Sequence, residues 1–159
     1  MIRICFVCLG NICRSPTAEG VMKALVARAS LDHAIRVESA GTAGYHEGDP
    51  ADARSRRFAK RRGYVLDGTA RQFRAVDFRR FDHVVAMDGQ NAARLRALAR
   101  EGSEQDKVRL LRDFDSASAP GSDVPDPYYG GDAGFDEVID LCERACAGLL
   151  AHLRDVGRI

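Results

Sequence analysis

Several things are scarce in this sequence, and each scarcity excludes something. No apolar run comes near the roughly 20 residues that span a bilayer, so membrane-spanning helices are not expected. The formal net charge is only +1, which gives bulk electrostatics no reason to draw the chain to nucleic acid or to a membrane surface. There is no internal repeat, no low-complexity segment and no composition break across 159 residues, a length that suits one domain with a substantial core. No two C-x-x-C motifs pair into a zinc cage, and His33, His46, His83 and His152 show no ligand spacing, so neither metal nor cofactor is expected. No cleavable leader is expected either, because Met1-Ile2-Arg3-Ile4 runs at once into strand-forming residues. The expected location is the cytoplasm, with secretion lacking a signal peptide compatible with the same residues.

What is present begins with five cysteines, an odd number: Cys5, Cys8, Cys13, Cys142 and Cys146. In a reducing compartment these are buried thiols, nucleophiles or redox switches. Cys5 sits inside an apolar strand, and Cys142 and Cys146 share one helix face, so packing is the expected role of all three.

Four segments read as strands: residues 2–7, 35–39, 83–87 and 108–111. The first is apolar throughout, as in a strand covered on both faces. Helices are expected at 15–29, with Ser15 as N-cap, Pro16 at the first helical position and Glu19 in the first turn; at about 51–62, stopped by Gly63; at about 89–100, stopped by Gly102; and at about 133–156. Strands alternating with helices imply βαβ units with right-handed crossovers. The expected fold is therefore a single α/β domain in three layers, a four-stranded parallel sheet flanked by helices. Residues 113–134 are a long irregular stretch rich in Pro, Gly and Asp, of a length that tends to be functional.

The stretch C-L-G-N-I-C-R-S at 8–15 joins the first strand to the first helix. Ligands of open α/β sheets sit at the carboxyl ends of strands. A helix N-terminus there offers unpaired amides and a positive dipole end, which together hold an anion. Gly10 and Asn11 tolerate the left-handed backbone that turns successive amides inward into a nest. Arg14 adds a planar fork suited to two phosphate oxygens. Cys8 stands at the mouth, where dipole, amides and arginine all favour the thiolate. A thiolate facing a bound phosphoryl group is a nucleophile in attack position, and a Ser15 hydroxyl could donate to it. The chemistry also needs an acid opposite the cradle, because phenolate leaves poorly unless protonated. Asp113, Asp115, Asp123, Asp126 and Asp132 all compete for that role. Asp126 stands out because it lies between two prolines and beside Tyr128 and Tyr129.

V-C-L-G-N-I-C-R-S-P-T-A-E closely resembles the phosphate loop of the low-molecular-weight protein tyrosine phosphatases. The resemblance continues through S-A-G-T at 39–42, A-R-Q at 70–72, M-D at 87–88 and D-P-Y-Y-G at 126–130, nearly the whole chain. It implies the flavodoxin-like fold of phosphotyrosine phosphatase I and hydrolysis of protein phosphotyrosine and small aryl phosphates without a metal. Carried over residue by residue, it implies Cys8 as nucleophile and Asp126 as general acid and then base. Arg14 and the amides of Leu9, Gly10, Asn11, Ile12 and Cys13 would bind phosphate. Asn11, Ser15 and Ser39 would hold the loop, and Cys13 would be a redox partner of Cys8. Tyr45, Tyr128 and Tyr129 would wall the phosphotyrosine cleft. The implied partner is a phosphotyrosine-containing protein, such as a bacterial tyrosine kinase or a host protein, and a monomer is expected. One departure is Gly68, where the family often has His contributing to the loop network.

Three rivals carry different signatures. Arsenate reduction on this fold needs further cysteines on a mobile segment, yet none lies between Cys13 and Cys142. A protein-arginine phosphatase of the same family carries Thr where this chain has Ile12. An idle phosphate-binding adaptor would have no use for Asp126. The basic run at 54–62 reads as a solvated helix face rather than a docking patch for an acidic partner.

Overall fold

The computed structural model describes residues 1–159. Four parallel strands, β1 (Ile2–Cys8), β2 (Ile35–Gly41), β3 (His83–Ala86) and β4 (Val108–Leu110), form one sheet in the order β2-β1-β3-β4. β1 is central, pairing Cys8 with Gly41 on one side and Val7 with Ala86 on the other. Its alternate residues feed two cores, as the two-residue period of a strand requires. Ile4, Phe6 and Cys8 face α1 (Arg14–Arg28) and α5 (Ala133–Asp155). Cys5 and Val7 face the other way, toward α3 (Gly89–Leu98) and a cluster of Phe73, Phe78 and Phe81. α2 (Ala53–Arg61) packs on α5, and a short α4 (Gly102–Gln105) precedes β4. The three layers match the expected fold class. Cys5, Cys142 and Cys146 are fully buried packing residues, and burial pushes the Cys142 thiol up to about 12.

Several expected details change. Ser15 is not the N-cap of α1: the helix starts at Arg14 with Cys13 in the cap position and no side-chain cap. The Ser15 hydroxyl is instead turned into the loop, toward the Cys8 sulfur. Pro16 falls two positions deeper in the first turn, still where a helical amide has no partner to lose. Glu19 lies beyond that turn and reaches Ser39. α2 begins later than expected, and its N-cap is Asp52, which accepts from the Arg54 and Ser55 amides. Gly102 does not stop α3, which ends at Leu98; it opens α4. β2 continues two residues past Ser39, because Gly41 pairs with Cys8 and also meets the 71–73 segment.

Candidate active site

The loop between β1 and α1 lies at the carboxyl edge of the sheet. The amides of residues 9–14 donate to no protein acceptor, which is what an anion-binding nest requires. Asn11, not Gly10, takes the left-handed turn, with φ +58°. The freedom of Gly10 serves space instead, since a Cβ there would press on the His46 ring at 3.1 Å. Gly41 fills the corresponding role from β2, where a Cβ would stand 2.6 Å from the Leu9 carbonyl oxygen.

The side chain of Asn11 holds this turn by both ends. Its Nδ2 donates to Ser15 Oγ (2.8 Å) and to Ser39 Oγ (3.0 Å), while its Oδ1 accepts from the Arg71 amide (3.1 Å). Ser39 in turn donates to Glu19 Oε2 (2.5 Å). Cys8 Sγ lies 3.0 Å from Ser15 Oγ. The network is thus closed by Glu19 and the Arg71 amide. Gly68 lies beside it in a polar pocket with Asn11, Glu19 and Ser39, and a Cβ at Gly68 would meet nothing within 4 Å.

Arg14 is buried, and its orientation is set from the far side of the sheet. Nη1 donates to Asp88 Oδ2 (2.6 Å) and to the Val124 carbonyl (3.1 Å), and Nη2 stands 3.6 Å from Asp126 Oδ2. Burial opposes its charge, but Cys8, Asp88 and Asp126 outweigh that and hold its pKa above the usual arginine value. Asp88 is also the N-cap of α3, accepting from the Asn91 amide at 2.7 Å. One carboxylate therefore ties the loop between β1 and α1 to the helix after β3.

The long 113–134 stretch is anchored midway, where the Val124 amide donates to the Met87 carbonyl and Asp123 accepts from the Gly89 amide. These bonds deliver Asp126 to the cleft mouth, its Oδ1 accepting from the Tyr128 amide (3.1 Å). The competing acids are engaged elsewhere or lie outside the cleft. Asp113 binds the Gly121 amide, Asp115 is buried against Ser118 and Arg144, Asp123 caps toward Gly89, and Asp132 starts α5.

One cleft brings together Cys8, Leu9, Gly10, Ile12, Cys13 and Arg14 with Tyr45, Asp126, Tyr128 and Tyr129. Asn11, Ser15 and Ser39 stand behind it as the network just described. The Tyr128 and Tyr129 rings meet edge to face, 4.9 Å apart. Cys13 is buried with its thiol pushed up to about 12 by desolvation, and no disulfide links it to Cys8. The sequence reading missed His46, which lines the cleft, along with the contributions of Asp88, Glu19, Arg71 and Arg54. Arg54 donates to the Tyr128 carbonyl (3.1 Å) and lies 5.4 Å from that ring's centroid, tying α2 to the tyrosine loop.

These features define an α/β protein with a thiol-bearing anion loop facing an acid and aromatic walls. Comparison with known proteins narrows that class. The family model described as low molecular weight phosphotyrosine protein phosphatase matches residues 3–158. A low molecular weight protein-tyrosine-phosphatase of Streptomyces coelicolor is 51% identical over 154 residues, covering 96% of this chain and 94% of that protein. The human low molecular weight phosphotyrosine protein phosphatase is 40% identical over 151 residues, covering 92% of each. The crystal structure of a protein tyrosine phosphatase from Entamoeba histolytica superposes with a TM-score of 0.94 at 42% identity, covering 98% of this chain and 99% of that one. The chain belongs to the low molecular weight phosphotyrosine protein phosphatase family.

Proposed function

We propose that this chain hydrolyses protein phosphotyrosine and small aryl phosphates in two steps through a phosphocysteine on Cys8. In the first step the Cys8 thiolate attacks phosphorus, the bond to the phenolic oxygen breaks, and Asp126 gives that oxygen its proton. Arg14 and the loop amides bind the equatorial oxygens and stabilise the charge of the transition state. In the second step the Asp126 carboxylate takes a proton from water, the water oxygen attacks phosphorus, and the S–P bond breaks. Ser15 donates to the departing thiolate. Tyr45, Tyr128 and Tyr129 flank the phenyl ring.

The observation that carries this reading is the convergence of three groups on one cleft: a thiol at the mouth of six unsatisfied amides, a buried arginine, and Asp126 at 3.6 Å from that arginine. Half-buried Ile12 supports an aryl substrate over a guanidinium-linked phosphate, since it offers no hydrogen bond. Disulfide-shuttling arsenate chemistry is disfavoured because Cys142 and Cys146 are fully buried in the core around α5. Five unpaired thiols suit a reducing cytoplasm.

Turnover of para-nitrophenyl phosphate with chelator present tests the mechanism. Cys8→Ser is expected to be inactive, and Asp126→Ala to be slowed about 10²–10⁴-fold, the worth of a general acid. Undiminished turnover without Cys8, or no turnover by the wild type, would overturn it.

A further inference from the structure

α2 carries charge that neither the fold nor the cleft chemistry uses. Arg56, Arg57, Lys60 and Arg61 are exposed and enter no ion pair. At 100° per residue they occupy one continuous side of the helix, opposite the buried Ser55, Phe58 and Ala59. The guanidinium groups of Arg57 and Arg61 lie over the Phe58 ring, at 5.4 and 4.9 Å from its centroid, which restrains them on that face. The other basic residues of the run are spent: Arg54 on Asp52 and Tyr128, Arg62 on Asp140 and Glu143 of α5. A solvated helix face normally mixes both signs; this one has a single sign.

Its position matters as much as its sign. The Asp52 amide donates to the Ile12 carbonyl (2.8 Å), so α2 starts on the phosphate loop itself. Arg54, two residues after Asp52, touches the tyrosine that lines the cleft. From Arg54 to Arg61 the helix rises about 10 Å, the span of about three residues of extended peptide.

We infer that this face of α2 is a docking track for phosphotyrosyl segments with acidic residues within about three positions of the phosphotyrosine, matched by the helix rise and the extended-chain repeat. The inference deepens the phosphatase reading and rests on it. Exposed pairs of this kind are individually weak and salt-sensitive, so the track tunes kcat/KM among substrates rather than setting the chemistry.

Two phosphotyrosyl peptides test it, one with Glu at those positions and one with Gln in their place, alongside para-nitrophenyl phosphate. The wild type is expected to favour the Glu peptide by roughly three- to tenfold in kcat/KM at low salt, the worth of one or two exposed pairs, and to lose the preference at high salt. Arg57→Glu/Lys60→Glu should abolish or invert the preference and leave para-nitrophenyl phosphate turnover unchanged. Arg57→Gln/Lys60→Gln should weaken it, guarding against a folding effect of the reversal. The control Arg36→Glu/Arg100→Glu, with the same charge change on other elements, should retain it. Equal kcat/KM for both peptides with normal para-nitrophenyl phosphate turnover would overturn the track alone. So would a preference that survives in the α2 variants. Binding of the wild type, but not of the α2 variant, to phosphatidylserine vesicles with no peptide preference would replace the peptide by a membrane surface. No turnover of any substrate would overturn the phosphatase reading and the track with it.

Discussion

The Ser15 hydroxyl has one proton to give, and its neighbours decide where it goes. Glu19 takes the Ser39 proton, so Ser39 accepts from Asn11; the Arg71 amide fixes which end of the Asn11 amide is oxygen; and the second Nδ2 hydrogen fills a Ser15 lone pair. The Ser15 proton then faces Cys8 Sγ at 3.0 Å or the Ala40 carbonyl at 3.3 Å, and a thiolate is the stronger acceptor. Ser15→Ala removes that bond. Turnover of para-nitrophenyl phosphate is expected to fall roughly tenfold, the equivalent of about 1.4 kcal/mol for a hydrogen bond to the departing thiolate. Glu19→Ala should lower it less, since it only loosens the orientation of Ser39. Undiminished turnover by Ser15→Ala would sink this account. At this scale the sequence was informative wherever chemistry is concentrated in consecutive residues: Cys8, Asn11, Arg14 and Ser15 all sit in one motif. Asp88 and Arg71 were not legible as partners, because they reach the loop from 74 and 60 positions away, and a single charged residue among 23 acids carries no local mark.

Elements behave differently, because their ends answer to the site as well as to propensity. Ser15 followed by Pro16 reads as a helix start by composition, but a serine cap would turn its hydroxyl to the Thr17 or Ala18 amide and take it from Cys8. The helix starts one residue earlier with its amides free, so the site overrides the local preference. The long stretch after β4 shows the opposite case, where an unpatterned segment hides a firm root. Asp115 is buried; burial pushes its pKa up, but bonds from Ser118, the Ala117 amide and Arg144 of α5 outweigh this and hold the carboxyl below the usual range. A carboxylate so depressed stabilises the fold fully above the unfolded-chain value near 4, and the gain is lost as pH falls through its own lower value. Asp115→Asn is therefore expected to cost about 1–3 kcal/mol at pH 7, the range for an unsatisfied buried partner set. The difference from wild type should narrow below about pH 4. Urea midpoints at pH 7, 5, 4 and 3 measure this, and a gap as wide at pH 3 as at pH 7 would show that the charge is not what anchors the loop.

Across the whole molecule, the alternation of strand and helix made the parallel sheet and its two covered faces readable in advance, because that pattern has few right-handed solutions. Pair-specific close approaches were not readable, since they depend on how finished layers meet. Gly148 is the sharpest of these. It lies inside α5, where propensity alone would favour alanine by about 0.5–1 kcal/mol. An added Cβ would stand 1.8 Å from the Phe114 carbonyl oxygen and 2.8 Å from its carbon, and both are backbone atoms that cannot rotate aside. Relief requires α5 to part from the 3₁₀ turn Leu111–Phe114, whereas other faces of α5 are already packed on α1 and α2. Contact outweighs propensity, and Gly148→Ala is expected to destabilise by about 1–3 kcal/mol or more, as overpacking does. That is a large fraction of the 5–15 kcal/mol typical of a domain. The same turn leads through Asp115 and Val124 to Asp126, so the displacement should also lower kcat for para-nitrophenyl phosphate at temperatures where the variant remains folded. Matched urea unfolding and kinetics read both effects. If Gly148→Ala were as stable as wild type, the close approach of α5 to the 111–114 turn would not be a constraint on this fold, and helix propensity would rule at that position after all.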